Sequence, residues 1–151
     1  MLNTKKIAGV DEVGRGCLAG PVFAAAVILN DNINTKDIKD SKKISFKNRM
    51  LLSKYIKKNS IFAVAFASVE EIDKLNILNA SLLSMKRALD KLKQKPSMIY
   101  IDGIFAPKNL KIKYKTFIKG DEKIISIAAA SIVAKATRDQ FMIELGKNFP
   151  K

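Results

Sequence analysis

Short apolar runs alternate with polar stretches along most of the chain, and their spacing predicts its elements. Residues 6–10 read as a short strand that ends at the acidic pair Asp11–Glu12, and VFAAAVILN (22–30) reads as a buried strand returning beside it. The polar stretch DNINTKDIKDSKKIS reads as a loop. Ser45 is placed to cap a helix over 46–58, where Phe46, Met50, Leu51, Lys54 and Tyr55 fall near helical spacing. SIFAVAFASV (60–69), rich in β-branched and aromatic residues, reads as a third strand. Ser68 and Glu71 form a capping-box pattern opening a short helix toward Leu75. Asn76 is placed to cap the next helix, whose stripe of Ile77, Leu78, Leu82, Met85 and Leu89 leaves Lys86, Arg87 and Lys91 facing away. Pro96 stops it, and SMIYID (97–102) is a strand ending in Asp102. KIKYKTFIK (111–119) alternates lysine with Ile112, Tyr114, Thr116 and Ile118, as an edge strand with one wet face does. GDEK then leads into a long helix over about 123–146. Strands and helices interleaved in this way predict an α/β fold with a central mixed sheet flanked by helices, in one domain spanning 1–151.

Composition narrows the chemistry. The 151 residues carry 28 Lys+Arg against 14 Asp+Glu, a formal net charge of +14, which points to a polyanionic partner, although a solvated lysine surface gives the same balance. There is no histidine and a single cysteine, Cys17, so Ser-His-Asp and Cys-His catalysis, Cys/His zinc sites and internal disulfides are excluded. No apolar run reaches membrane-span length and the first residues lack a signal-peptide core, so the expectation is a cytoplasmic protein with no membrane partner.

Against this basic background the acids stand out by position. Asp11 and Glu12 close the first strand, Asp102 closes a later one, and Asp121 precedes the long helix. Strand ends of an α/β sheet are where ligands bind. Carboxylates gathered there repel one another unless one takes a proton or a cation intervenes. Mg²⁺ accepts such hard oxygen donors together with water and phosphate oxygens. Taken singly, Asp121 is equally an ordinary helix cap and Asp102 an ordinary turn residue. Adjacent strand residues point to opposite faces, so Asp11 and Glu12 share a site only if the strand breaks at VGRG; Glu12 then serves through its side chain or its carbonyl. Gly14 and Gly16, flanking Arg15, allow the backbone a close approach to a ligand, where N–H and C=O groups can bond a ribose 2′-OH. A plain turn has the same signature.

Five segments taken together, IAGVDEVGRGCLAGPVFAAAVIL, DSKKIS, NILNASLLSMKRAL, YIDG and GDEKIISIAAASIVAKATRDQ, resemble the ribonuclease HII family, the type 2 ribonucleases H, in family order over nearly the whole chain. The resemblance implies an RNase H-like fold and cleavage of the RNA strand of RNA–DNA hybrids. It also implies incision 5′ of single ribonucleotides embedded in duplex DNA, leaving 3′-hydroxyl and 5′-phosphate ends. The cofactor it implies is Mg²⁺ or Mn²⁺, two ions with substrate. It places the family's four carboxylates on Asp11, Glu12, Asp102 and Asp121, and its ribose-reading turn on Gly14, Arg15 and Gly16. Ser41, Lys42 and Lys43, with Lys135 and Arg138, are the expected phosphate contacts, although a solvated helix face explains the last two as well. A monomer is expected.

One departure concerns the end of the chain. It stops at LGKNFPK, where the family continues through a Lys-His-Lys-Gly-Tyr-Gly-like segment whose tyrosine packs on the sugar at the junction; Tyr55, Tyr100 and Tyr114 lie in other segments. Two readings follow: an active nuclease, and a hybrid-binding module impaired in cleavage. A related nuclease such as a junction resolvase would share the acids but not GRG, and a basic ribosomal-type RNA binder would leave four acids at element ends unexplained.

Overall fold

In the structure, a computed structural model, residues 6–15 and 20–148 are described. Among them, one sheet of five strands carries helices on both faces. The strands are β1 (Ile7–Val13), β2 (Val22–Leu29), β3 (Ser60–Ala67), β4 (Met98–Asp102) and β5 (Tyr114–Phe117), in spatial order β3-β2-β1-β4-β5. β1, β2 and β3 form an antiparallel meander, whereas β4 and β5 run parallel to β1, so the sheet is mixed as expected. The helices are α1 (Lys36–Lys39), α2 (Phe46–Lys58), α3 (Val69–Leu75), α4 (Ile77–Lys91), α5 (Gly120–Lys123) and α6 (Ile125–Asn148).

Side-chain alternation along β1 and β2 divides the core in two. On one face Ala8, Val10, Ala24 and Ala26 pack with Met85, Ala88 and Leu92 of the α4 segment. On the other, Ala25 and Val27 meet Ile38, Leu52, Ile56 and the small-residue stretch Ala128–Ala134 of α6. The alanines bring α6 unusually near the sheet. At Gly9 an added Cβ would lie 2.1 Å from the backbone carbonyl carbon of Ser126, so only glycine fits where β1 and α6 touch main chain to main chain.

Local signals in the sequence account for the helix starts. The Ser45 hydroxyl accepts from the Asn48 N–H at 3.2 Å and α2 starts at Phe46. Ser68 and Glu71 make the reciprocal capping box of α3, and Asn76 caps α4. Four expectations are corrected. β1 does not end at the acidic pair but continues through Asp11 and Glu12, because β2 goes on pairing with it to Val13. The polar stretch after β2 holds α1 and a 3-10 turn (Ser41–Lys43) rather than plain loop. Only Tyr114–Phe117 of the lysine-alternating segment is strand; Tyr114 and Thr116 are exposed while Phe117 turns inward onto the Tyr100 ring, 5.0 Å between centroids. The long helix itself is found as expected, over Ile125–Asn148, and its GDEK lead-in forms a separate short helix, α5, which carries Asp121. On α4 the expected stripe holds, with Met85 buried and Leu82 and Leu89 packed against the same core beside the buried Ser81, Ser84 and Ala88, but Arg87 and Lys91 do not face away: they donate to the Phe66 and Val64 carbonyls.

Candidate active site

β4 pairs with β1 only as far as Val10–Ile101, and beyond that rung the two strands part. The crevice opens at the carboxyl end of two parallel strands, the usual ligand position in such sheets. Asp11 stands at its mouth on β1 and is 4% exposed. Asp102 stands on the last residue of β4. With no β4 rung beyond Val10 on that side, the Glu12 N–H turns to its neighbour and donates to Asp11 Oδ1 at 2.8 Å. Asp102 Oδ1 accepts from the Gly120 N–H at 2.6 Å, which ties the end of β4 to the start of α5 and brings Asp121 to the same crevice. The strand does not need to break for Asp11 and Glu12 to share it: the crevice is open at the strand edge, and both carboxyls feel Asp102.

Electrostatics bind the four acids into one unit. Burial first, then the negative charges of Asp102 and Glu12, push the Asp11 carboxyl well above its ordinary range, and it lies within hydrogen-bond reach of Asp102. Burial also raises Glu12, as do Asp102 and Asp121; Arg15 works against this shift, its guanidinium 3.7 Å from Glu12 Oε1. Among the described residues no three acids are arranged as a ready-made metal site. The set fits a hard divalent cation nonetheless: oxygen donors only, excess negative charge with one member buried, and space left for water or phosphate oxygens. Asp11, Glu12, Asp102 and Asp121 would hold it.

The turn after β1 begins with Gly14 at φ +112°, a conformation that strains any side-chain-bearing residue, followed by the exposed Arg15. Gly16 lies outside the described residues.

Of the expected phosphate contacts, the structure brings Ser41 and Lys135 together in a cleft of about 430 Å³ that Asp121 and Glu122 also line. Ser41 Oγ donates to the Ile38 carbonyl at 2.7 Å, and Lys135 is exposed. Lys43 is exposed on the 3-10 turn, and the Lys42 side chain lies outside the described residues. Arg138 is not on a solvated helix face. It is 8% exposed, and its Nε donates to the Pro21 carbonyl at 3.2 Å beneath the Gly14 turn. Two cations in the cleft were missed, Lys39 and Arg49; Arg49 pairs with Asp139 at 2.7 Å. The KDSKK run hinted at Lys39, whereas nothing in the local pattern marks Arg49, which reaches the cleft through the docking of α2 on α6. A larger cavity of about 680 Å³, lined by Asn34, Asp37, Asp40 and Tyr55 among others, holds none of the four acids.

Comparison with known proteins bears on the family and the fold. The ribonuclease HII family model matches residues 8–151. A ribonuclease HII of Pelagibacter ubique is 60% identical over 147 residues, covering 96% of this chain and 78% of its own length. One of Bacteroides fragilis is 51% identical over 144 residues, covering 95% and 72%. The crystal structure of ribonuclease H2 from Pyrococcus horikoshii superposes with a TM-score of 0.83 at 30% identity, over 97% of this chain and 78% of that one, so the mixed sheet with its helices is the RNase H-like fold. Sequence and architecture agree, and the chain belongs to the ribonuclease HII family.

Proposed function

We propose that the chain cleaves the RNA strand of RNA–DNA hybrids and incises duplex DNA 5′ of single embedded ribonucleotides, leaving 3′-hydroxyl and 5′-phosphate ends. As a ribonuclease HII it is a metal-dependent endoribonuclease. The observation that carries it is the coupling of Asp11, Glu12, Asp102 and Asp121 in the crevice where β1 and β4 part. Bound Mg²⁺ or Mn²⁺, two ions with substrate, supplies charge neutralisation, an activated water and stabilisation of the leaving 3′-oxygen.

The chain's own residues do the rest. Asp11, just past the last rung that β1 shares with β4, and Asp102, the last residue of β4, fix the donor oxygens against the sheet. The Gly120 N–H orients the Asp102 carboxylate, so that its other oxygen is the one turned to the ligand. Glu12 holds Arg15 at the rim until substrate arrives, and the Gly14–Arg15–Gly16 turn then presents backbone groups to the ribose 2′-OH, which distinguishes RNA from DNA. Ser41 and Lys135, with Lys39, carry the phosphates along the cleft beside Asp121, and Lys43, exposed on the neighbouring 3-10 turn, is a further phosphate contact.

The test is Asp11→Asn assayed on three labelled duplexes: a hybrid, a DNA with one ribonucleotide, and an all-DNA control. The wild type is expected to cut the first two under Mg²⁺ or Mn²⁺ and spare the third, while the variant binds hybrid in Ca²⁺ and cuts nothing. A wild type that binds hybrid without cutting would leave a binding module instead. Cleavage of all-DNA substrates would overturn the reading of the turn.

A further inference from the structure

Arg138 is a buried cation that the proposed chemistry does not use. It projects from α6, seventeen residues beyond Asp121 along the chain, toward the loop that joins β1 to β2. That loop leaves β1 at Gly14, φ +112°, and enters β2 after Gly20, φ +88°. A Cβ added at Gly14 would meet Arg138 Nε at 2.8 Å, and one added at Gly20 would meet a terminal nitrogen of the same guanidinium at 3.2 Å. Between them the Arg138 Nε donates to the Pro21 carbonyl. Both ends of the loop therefore close on one planar, always-charged group, 8% exposed and carried by α6.

We propose that Arg138 is a positioning residue for ribose recognition: its guanidinium is the template on which Gly14, the first residue of the GRG turn, is set, and it contacts no substrate phosphate. This rests on the reading that the turn senses the 2′-OH. The physical argument is one of geometry. Two left-handed glycines are flexible on their own. A fork that packs against both and bonds the adjacent carbonyl removes that freedom, so the turn's N–H and C=O groups are aimed before substrate binds. The positive φ of both positions favours glycine, and at Gly14 a Cβ would also strike the fork at 2.8 Å. The sequence separates these parts by more than 100 residues, which is why the arginine reads there as a solvated or phosphate-binding one.

The test compares the dissociation constants of an RNA–DNA hybrid and the matched all-DNA duplex, both in Ca²⁺, for the full chain and its variants. Arg138→Met keeps the apolar stem and loses the fork; it is expected to lower the preference for hybrid about tenfold, the worth of one well-placed hydrogen bond. KM for the hybrid then rises by more than kcat falls. Arg138→Lys, still a donor to Pro21, recovers part of the preference. Gly20→Ala, whose added Cβ meets Met142 Sδ at 2.9 Å and a terminal nitrogen of the same guanidinium at 3.2 Å, lowers it independently should Arg138→Met prove too unstable to assay. Wild-type preference in both Arg138→Met and Gly20→Ala, with Gly14→Ala losing it, overturns the template while leaving the turn as ribose reader. Wild-type preference in Gly14→Ala as well overturns the reader and the template together.

Discussion

Gly9 offers a direct test of how the site is framed. An added Cβ there would lie 2.1 Å and 2.2 Å from the Ser126 carbonyl carbon and oxygen, and 2.4 Å from the Ile127 nitrogen. All three are main-chain atoms, so no rotamer change relieves the clash. Ordinary contact begins near 3.4 Å, and Gly9→Ala therefore requires α6 to retreat by about 1.3 Å from β1. Overpacking of a close-packed core costs about 1–3 kcal/mol, and rigid backbone on both sides places this variant near about 3 kcal/mol. For a chain of this size that lowers the melting temperature by about 6–12 °C. Because α6 also carries the Ile127 side chain under Gly120 and the Arg138 fork under Gly14, hybrid affinity should fall together with stability. Thermal and urea unfolding measure the first, titration in Ca²⁺ the second. Gly146→Ala is the control: nothing lies within 4 Å of its added Cβ, and replacing a helical glycine should gain about 0.5–1 kcal/mol. A loss below about 1 kcal/mol for Gly9→Ala would refute the claim that α6 is pressed on β1 main chain to main chain.

Three more predictions follow from charge. Asp11 binds its proton more tightly in the folded chain than in the unfolded one, so its contribution to metal-free stability is largest at low pH and is lost as pH rises through the elevated folded value. In EDTA at neutral pH, Asp11→Asn should accordingly be more stable than wild type, by about 1 kcal/mol, while inactive; equal or lower stability in urea melts would contradict the repulsion. Glu71 behaves oppositely: hydrogen bonds from Arg87 and from the Ser68 N–H hold its carboxyl down at about 2, so its contribution is complete above the ordinary value near 4.5 and fades as pH falls toward 2. Glu71→Ala, which removes half the capping box, should cost about 1 kcal/mol at pH 7 and much less at pH 2.5, read from urea midpoints. Hybrid affinity in Ca²⁺ should fall steeply with salt as lysine–phosphate contacts release counterions, and Lys135→Ala should reduce the slope of log K against log salt by about 1; an unchanged slope removes Lys135 from the phosphate path.

What the sequence made legible was local or periodic. Caps at Ser45, Ser68 and Asn76, apolar runs at β2 and β3, and Asp102 at the end of its strand are all set within a few residues, and each is found in the fold. What it concealed depends on partners distant in the chain. β1 outlasts its apolar run because β2 keeps pairing with it past Asp11, an effect no local pattern carries. Arg138 lies in a helix whose lysine and arginine spacing suits solvent, and only the packing of α6 under the β1–β2 loop buries it. The lysine alternation of 111–119 suggested an edge strand with Tyr114 inward, yet β5 presents Phe117 to Tyr100 instead, because the aromatic contact sets the register there. The acids themselves could be picked out by position, but their coupling required the crevice that parting strands create.

The account turns on the four acids acting as one cation site, and calorimetric titration of Mn²⁺ into the substrate-free protein tests this most directly. Wild type should bind, with affinity falling as pH is lowered and protons compete at Asp11 and Glu12. Asp11→Asn and Asp102→Asn should each weaken binding by more than about tenfold, since even outer partners of a metal site cost that much. Equal Mn²⁺ affinity in wild type and both variants would contradict it.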